Sequence, residues 1–170
     1  MARQNLSRTA ISALLLALMV FTCSAGISPG TAEAAPPWGA CGLNADPAKL
    51  VREFPVKPGA SFFLRCGGPK YSPEPADGYR HILWRHRTEF EQIAFGTHQN
   101  WRDVADLAMA IIARDPDVTI PTARGTTCYS RVVFLVDLRT NQVARQQIVK
   151  MIVVSATGDI VTAYPTGRHC

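Results

Sequence analysis

The sequence predicts an α+β domain in which N-terminal helices pack on a twisted C-terminal antiparallel β-sheet, a meander. Three observations predict it. Apolar residues between Tyr79 and Ile112 recur at spacings of three, four and seven, the period of helices with one buried face. From Tyr129 onward the chain changes to runs rich in Val, Ile and Thr, broken by turn residues, as strands are. Helices followed by strands belong to a two-layer α+β arrangement.

The first residues read as a Sec-type signal peptide over 1–35. Arg3 and Arg8 form a positive start, Ile11 to Cys23 an apolar core, and Thr31 to Ala35 a small-residue cleavage site, so a secreted protein cut near Ala34 or Ala35 is expected. Phe21-Thr22 before Cys23 is a poor match to the small residues that precede a lipidated cysteine. No later stretch reaches the roughly 20 apolar residues of a membrane span, so no membrane association is expected after processing. Removing 35 of the 170 residues leaves 135, the size of one domain with one core, and a monomer is the expectation. With Arg3, Arg8 and Glu33 gone, 16 of 18 basic and 12 of 13 acidic residues remain, a formal charge of +4. That excess suits a polyanionic partner and by itself distinguishes little.

Cys41, Cys66, Cys128 and Cys170 remain, an even number in an exported chain, which predicts two disulfides. Counting does not separate the three pairings. Cys41 with Cys66 and Cys128 with Cys170 is favoured, because it closes one local loop and staples the last residue to the sheet. No CxxC or Cys/His spacing suggests zinc.

Residues 36–78 form a Pro/Gly-rich, disulfide-tied lead-in to the same globular domain. It carries one helical patch, Asp46 to Phe54, with Asp46 as cap and Pro47 in the first turn. Ser61 to Cys66 reads as a short strand, and Gly67 to Gly78, through Pro73 and Pro75, as loop. A helix runs from Tyr79 through Ile82, Leu83, Phe90, Ile93 and Ala94 until Gly96 stops it. Asn100 caps a second helix whose stripe is Val104, Leu107, Ala108, Ile111 and Ile112, ended by Asp115-Pro116. After an irregular stretch to Gly125 come three strands, Tyr129–Leu138, Gln142–Ser155 and Asp159–Tyr164, with turns at Thr140-Asn141 and Thr157-Gly158-Asp159.

Chemistry is expected between Gly78 and Trp101, which holds three of the four histidines together with Arg80, Arg85 and Arg87. Imidazole exchanges protons near neutral pH, and the arginines point to an anionic substrate such as a phosphodiester. His98 sits in the turn Gly96-Thr97-His98-Gln99 between the two helices, held by scaffold yet exposed. His86 lies five residues after His81, about 500° around an α-helix; the two are expected on different faces, with His86 solvated or structural. His169 beside Cys170 reads as a surface residue held by a disulfide, and Trp84 and Trp101 as helix packing.

Arg80-His81-Ile82-Leu83-x-x-His86, Gly96-Thr97-His98 on a turn, and the terminal Gly158-Asp159-Ile160-Val161-Thr162-Ala163-Tyr164-Pro165 together resemble the bacterial EndoU ribonuclease family. This is the toxin-type nuclease domain of barnase/EndoU/colicin/RelE-like fold, and the resemblance spans 79–170. It implies catalytic His81 and His98, with Thr162 and Tyr164 lining the phosphate and base site, and Arg80, Arg85 and Gln99 contacting RNA. His98 is expected as general base and His81 as general acid. Cleavage of single-stranded RNA through the 2′-hydroxyl, to 2′,3′-cyclic phosphate and 5′-hydroxyl ends, is the chemistry expected of two histidines without a metal, with RNA as the partner; a uridine preference rests on the resemblance. A dedicated toxin usually has a cognate immunity protein in the producer.

Many members carry a third catalytic lysine, and Lys150 is the one candidate on the last strands. No Asp/Glu/His cluster suggests a hard-metal cage, so no cofactor and a metal-independent reaction are expected. The alternative is a catalytically inactive secreted module on the same fold that binds a polyanion or a protein as an inhibitor. A serine or cysteine hydrolase has no nucleophile motif here.

Overall fold

A computed structural model describes residues 41–42, 44–68 and 77–170. The signal peptide, its cleavage site and the loop with Tyr71, Pro73 and Pro75 lie outside them. The described residues belong to one compact unit. They form an α+β fold of two antiparallel sheets with helices between them in the chain.

The first sheet is a hairpin of β1 (Leu50–Lys57) and β2 (Ala60–Arg65), with Phe54 opposite Phe62. A helical run follows: α1 (Gly78–His81), a π-helical turn (Ile82–His86) and α2 (Arg87–Ala94). The next helix is α3 (Trp101–Arg114). The second sheet comprises β3 (Val118–Pro121), β4 (Thr126–Asp137), β5 (Gln142–Val154) and β6 (Ile160–Thr166), in that spatial order with antiparallel neighbours. Among the described residues no helix is long and apolar enough to cross a membrane.

Three expectations are corrected. The patch expected as helix from Asp46 is a turn, in which Asp46 Oδ1 accepts from Ala48 N–H at 2.9 Å, and then strand from Leu50. Pairing with β2 buries Val51 and Phe54 and outweighs local helix preference. The helices therefore do not open the domain; a hairpin precedes them. Part of the stretch read as irregular is β3, an edge strand on β4.

The expected punctuation of the helices holds. The Asn100 side chain accepts from the N–H groups of Arg102 and Asp103 at 2.9 and 3.1 Å, a standard N-cap. Val104, Ala105, Ala108, Met109 and Ile112 of α3 are fully buried and share one core with Val133, Leu135, Val149 and Met151 of the sheet. That continuous apolar contact is the main stabilising contribution.

The two sheets meet at Gly158. Phe63 N–H donates to Gly158 O at 2.9 Å, and Arg65 Nε donates to Asp159 Oδ1 at 2.7 Å. Gly158 has φ +76°, and a Cβ there would stand 2.7 Å from Ser61 O, so only glycine fits.

The structure bonds Cys41 to Cys66 and Cys128 to Cys170, the pairing favoured above, with Cα separations of 5.4 and 6.0 Å. Around Cys66 the lead-in is laced to the helical run: Cys66 N–H donates to Lys49 O, and Arg80 N–H to Cys66 O. The Arg80 guanidinium, 3% exposed, donates to the carbonyls of Gly67, Gly42 and Ala45, each at 2.7 Å. Truncating it strands these carbonyls, and unsatisfied buried polar groups cost about 1–3 kcal/mol each. Arg80→Ala is expected to lower unfolding stability by about 3 kcal/mol, read from urea denaturation of the oxidised protein.

Candidate active site

His81 ends α1 and His86 ends the π-helical turn. Their ring centroids lie 5.3 Å apart, contrary to the expectation from α-helical geometry. A turn closed by i→i+5 hydrogen bonds brings residues five apart onto one side. The wider turn also draws the buried side chains of the run closer to one line. Ile82 and Phe90, both fully buried, are eight residues apart, which an unbroken α-helix would separate by about 80°. The wider turn absorbs one residue and brings them within about 20°.

Tyr164 of β6 completes the cluster. Its ring stacks on His86 with centroids 4.9 Å apart and planes at 21°. Glu89, one turn along α2, lies with Oε2 2.8 Å from His86 Nδ1, so that nitrogen carries the hydrogen and the ring orientation is set. Burial first, then the neighbouring His86 and Arg85, lower the His81 pKa from its ordinary 6.5, against a small opposing pull from Asp77. His81 Nδ1 is buried without a hydrogen-bond partner among the described residues.

His98 is elsewhere. Its turn is fastened to the far end of β4: Leu138 N–H donates to Thr97 O at 3.1 Å, and Gln99 Nε2 to Val136 O at 2.9 Å. His98 adopts φ +59°, with Nε2 3.7 Å from Asp137 Oδ1. The Asp137 carboxyl is held below its ordinary pKa, chiefly by the Arg139 N–H, with Thr140, His98 and the Arg139 charge adding to it against some desolvation. Tyr164 pairs with Lys150 and Lys150 with Ser130, whereas Asp137 lies seven residues further along β4. Seven residues of strand rise amount to about 23 Å, so Asp137, beside which His98 lies, stands on the order of 20–25 Å from Tyr164 along the sheet. The depression of about 520 Å³ beside His98, lined by Glu91, Phe95, Gln99 and Trp101, includes neither His81 nor Tyr164.

The other expected site residues divide likewise. Arg85 is exposed beside His81. Thr162 shares a strand face with Tyr164 by parity, but its hydroxyl is buried and unpartnered among the described residues. Arg80 is consumed by three carbonyls and Gln99 by Val136, so both serve the fold. The cluster is therefore His81, His86, Tyr164 and Arg85. Two imidazoles of different surroundings beside an exposed guanidinium can move protons on an anionic substrate. No group of three His, Cys, Asp or Glu side chains among the described residues could hold a metal.

Replacing His86 by Gln is expected to raise the His81 pKa, measured by NMR titration of the imidazole protons, because one of its lowering influences is removed. A lowered histidine pKa means the unfolded chain takes up this proton first. Stability from this group is complete above pH 6.5, the unfolded value, and is lost as pH falls from there through the folded pKa.

No family model matches this chain, and neither the curated proteins nor the solved structures contain a match.

Proposed function

We propose that the chain is a secreted, EndoU-like endoribonuclease that cleaves single-stranded RNA by transesterification. The observation that carries the reading is the convergence of His81, His86 and Tyr164 beside Arg85. In this mechanism neutral His81 takes the proton of the ribose 2′-hydroxyl. The 2′-oxygen attacks phosphorus, the bond to the 5′-oxygen breaks, and protonated His86, backed by Glu89, gives its proton to the departing oxygen. The products are a 2′,3′-cyclic phosphate and a 5′-hydroxyl. Arg85 and the Tyr164 hydroxyl supply positive charge and a donor for the crowded phosphorane oxygens. This replaces His98 with His86, and reverses the role first expected for His81, because burial favours its neutral form.

The two disulfides suit an oxidising compartment, in keeping with export. A toxin role, a uridine preference and a cognate immunity protein belong to the same proposal through the family resemblance.

The test is purified oxidised protein with mixed-sequence RNA in EDTA. Cleavage is expected, with cyclic phosphate ends. His81→Ala and His86→Ala are each expected to lower kcat/KM by about 100-fold or more, while His98→Ala changes it less than threefold. Loss of activity in His98→Ala but not in His86→Ala would overturn the site. No cleavage at any pH from 5 to 9 would favour the inactive binding module.

A further inference from the structure

We propose that the face of the sheet turned away from the core carries a second phosphate subsite, formed by Lys150, Arg168 and His169, which holds the neighbouring nucleotide of the substrate. It rests on the endoribonuclease reading. Residues paired directly across strands share a face. Tyr129, Met151 and Ala163 form a row on the core side. The adjacent row, Ser130, Lys150 and Tyr164, therefore points the other way. At one end of that row Tyr164 stacks on His86.

At the other end the C-terminal tail returns to the sheet. Cys170 is bonded to Cys128, its N–H donates to Ser130 Oγ at 3.2 Å, and the same oxygen lies 3.0 Å from His169 Nδ1. Ser130 is fully buried. Its oxygen accepts from Cys170 and keeps a hydrogen and a second lone pair, either of which can engage His169 Nδ1. The contact fixes the place of a partly exposed ring, whose Nε2, when it carries hydrogen, is a donor that a phosphate oxygen accepts from.

Ser130 and Tyr164 are two strand spacings apart, about 10 Å, with the partly exposed Lys150 midway and Arg168 exposed beside His169. No carboxylate stands in this row. A line of donors and cations leading from an acid–base pair is what a groove tracking a single strand requires. The Cys128–Cys170 bond holds the penultimate residue where it can serve.

The experiment compares cleavage of a dinucleotide and a hexanucleotide RNA, and measures affinity for a hexadeoxynucleotide, which lacks the attacking hydroxyl. In His169→Ala the preference in kcat/KM for the hexanucleotide is expected to fall about tenfold, through KM, with a similar loss of hexadeoxynucleotide affinity. Cys170→Ser, which frees the tail but keeps the imidazole, should lose the same preference. In Lys150→Gln the slope of log K against log salt should shrink by about 0.7. A preference and an affinity both within twofold of wild type in His169→Ala would overturn the subsite. If wild type cleaves neither RNA, yet binds the hexadeoxynucleotide more tightly than His169→Ala does, the catalytic reading fails and the subsite stands.

Discussion

The buried Arg80 guanidinium is the constraint on which the site depends. A charged group is taken out of water only when its donors are satisfied, and here three carbonyls from Gly42, Ala45 and Gly67 do so. Those carbonyls lie on either side of the Cys41–Cys66 bond. The disulfide shapes the cradle, Arg80 fills it, and the next residue along the chain is His81. The lead-in, which has no catalytic group of its own, thereby sets where the helical run begins.

From that anchor the π-helical turn decides which side chains meet. An α-helix through 78–94 would have set Ile82 and Phe90 about 80° apart within one apolar stripe, and His81 and His86 about 140° apart on different faces. The extra residue in the turn aligns both pairs, one in the core and one at the surface. Core packing and site assembly are thus the same event, because the free energy of burying Phe90 and Ile82 is available to hold a turn that is rare on its own account. The edge strand β6 then contributes Tyr164 from about eighty residues away.

The surroundings of the two imidazoles differ. His81 has one ring nitrogen buried and cationic neighbours, which favour its neutral form. His86 faces a carboxylate and an aromatic ring. The turn carrying His98 uses its polar groups differently, to tie the α2–α3 connection to the tip of the β4–β5 hairpin.

The α+β class, the α3 helix with its Asn100 cap and the long β4 and β5 strands were legible in the sequence, and of the three cysteine pairings the favoured one, which closes a local loop and staples the end, is the one the structure shows. These follow from periodicity, capping chemistry and chain connectivity, all local or nearly so. The sequence also pointed to His81, Arg85 and Tyr164. Only the tertiary structure decided that 50–57 is a strand, since its partner β2 supplies the hydrogen bonds. Only it decided that Arg80 and Gln99 are structural, since carbonyls distant in sequence claim their donors. His86 was misplaced because an ideal 3.6-residue turn was assumed, and the eight-residue spacing of Ile82 and Phe90 fits an α-helical stripe as well as a π-helical turn, so the apolar pattern does not reveal the turn. Sequence proximity of His98 to His81 says nothing of the strand register that fastens the His98 turn to the far end of β4.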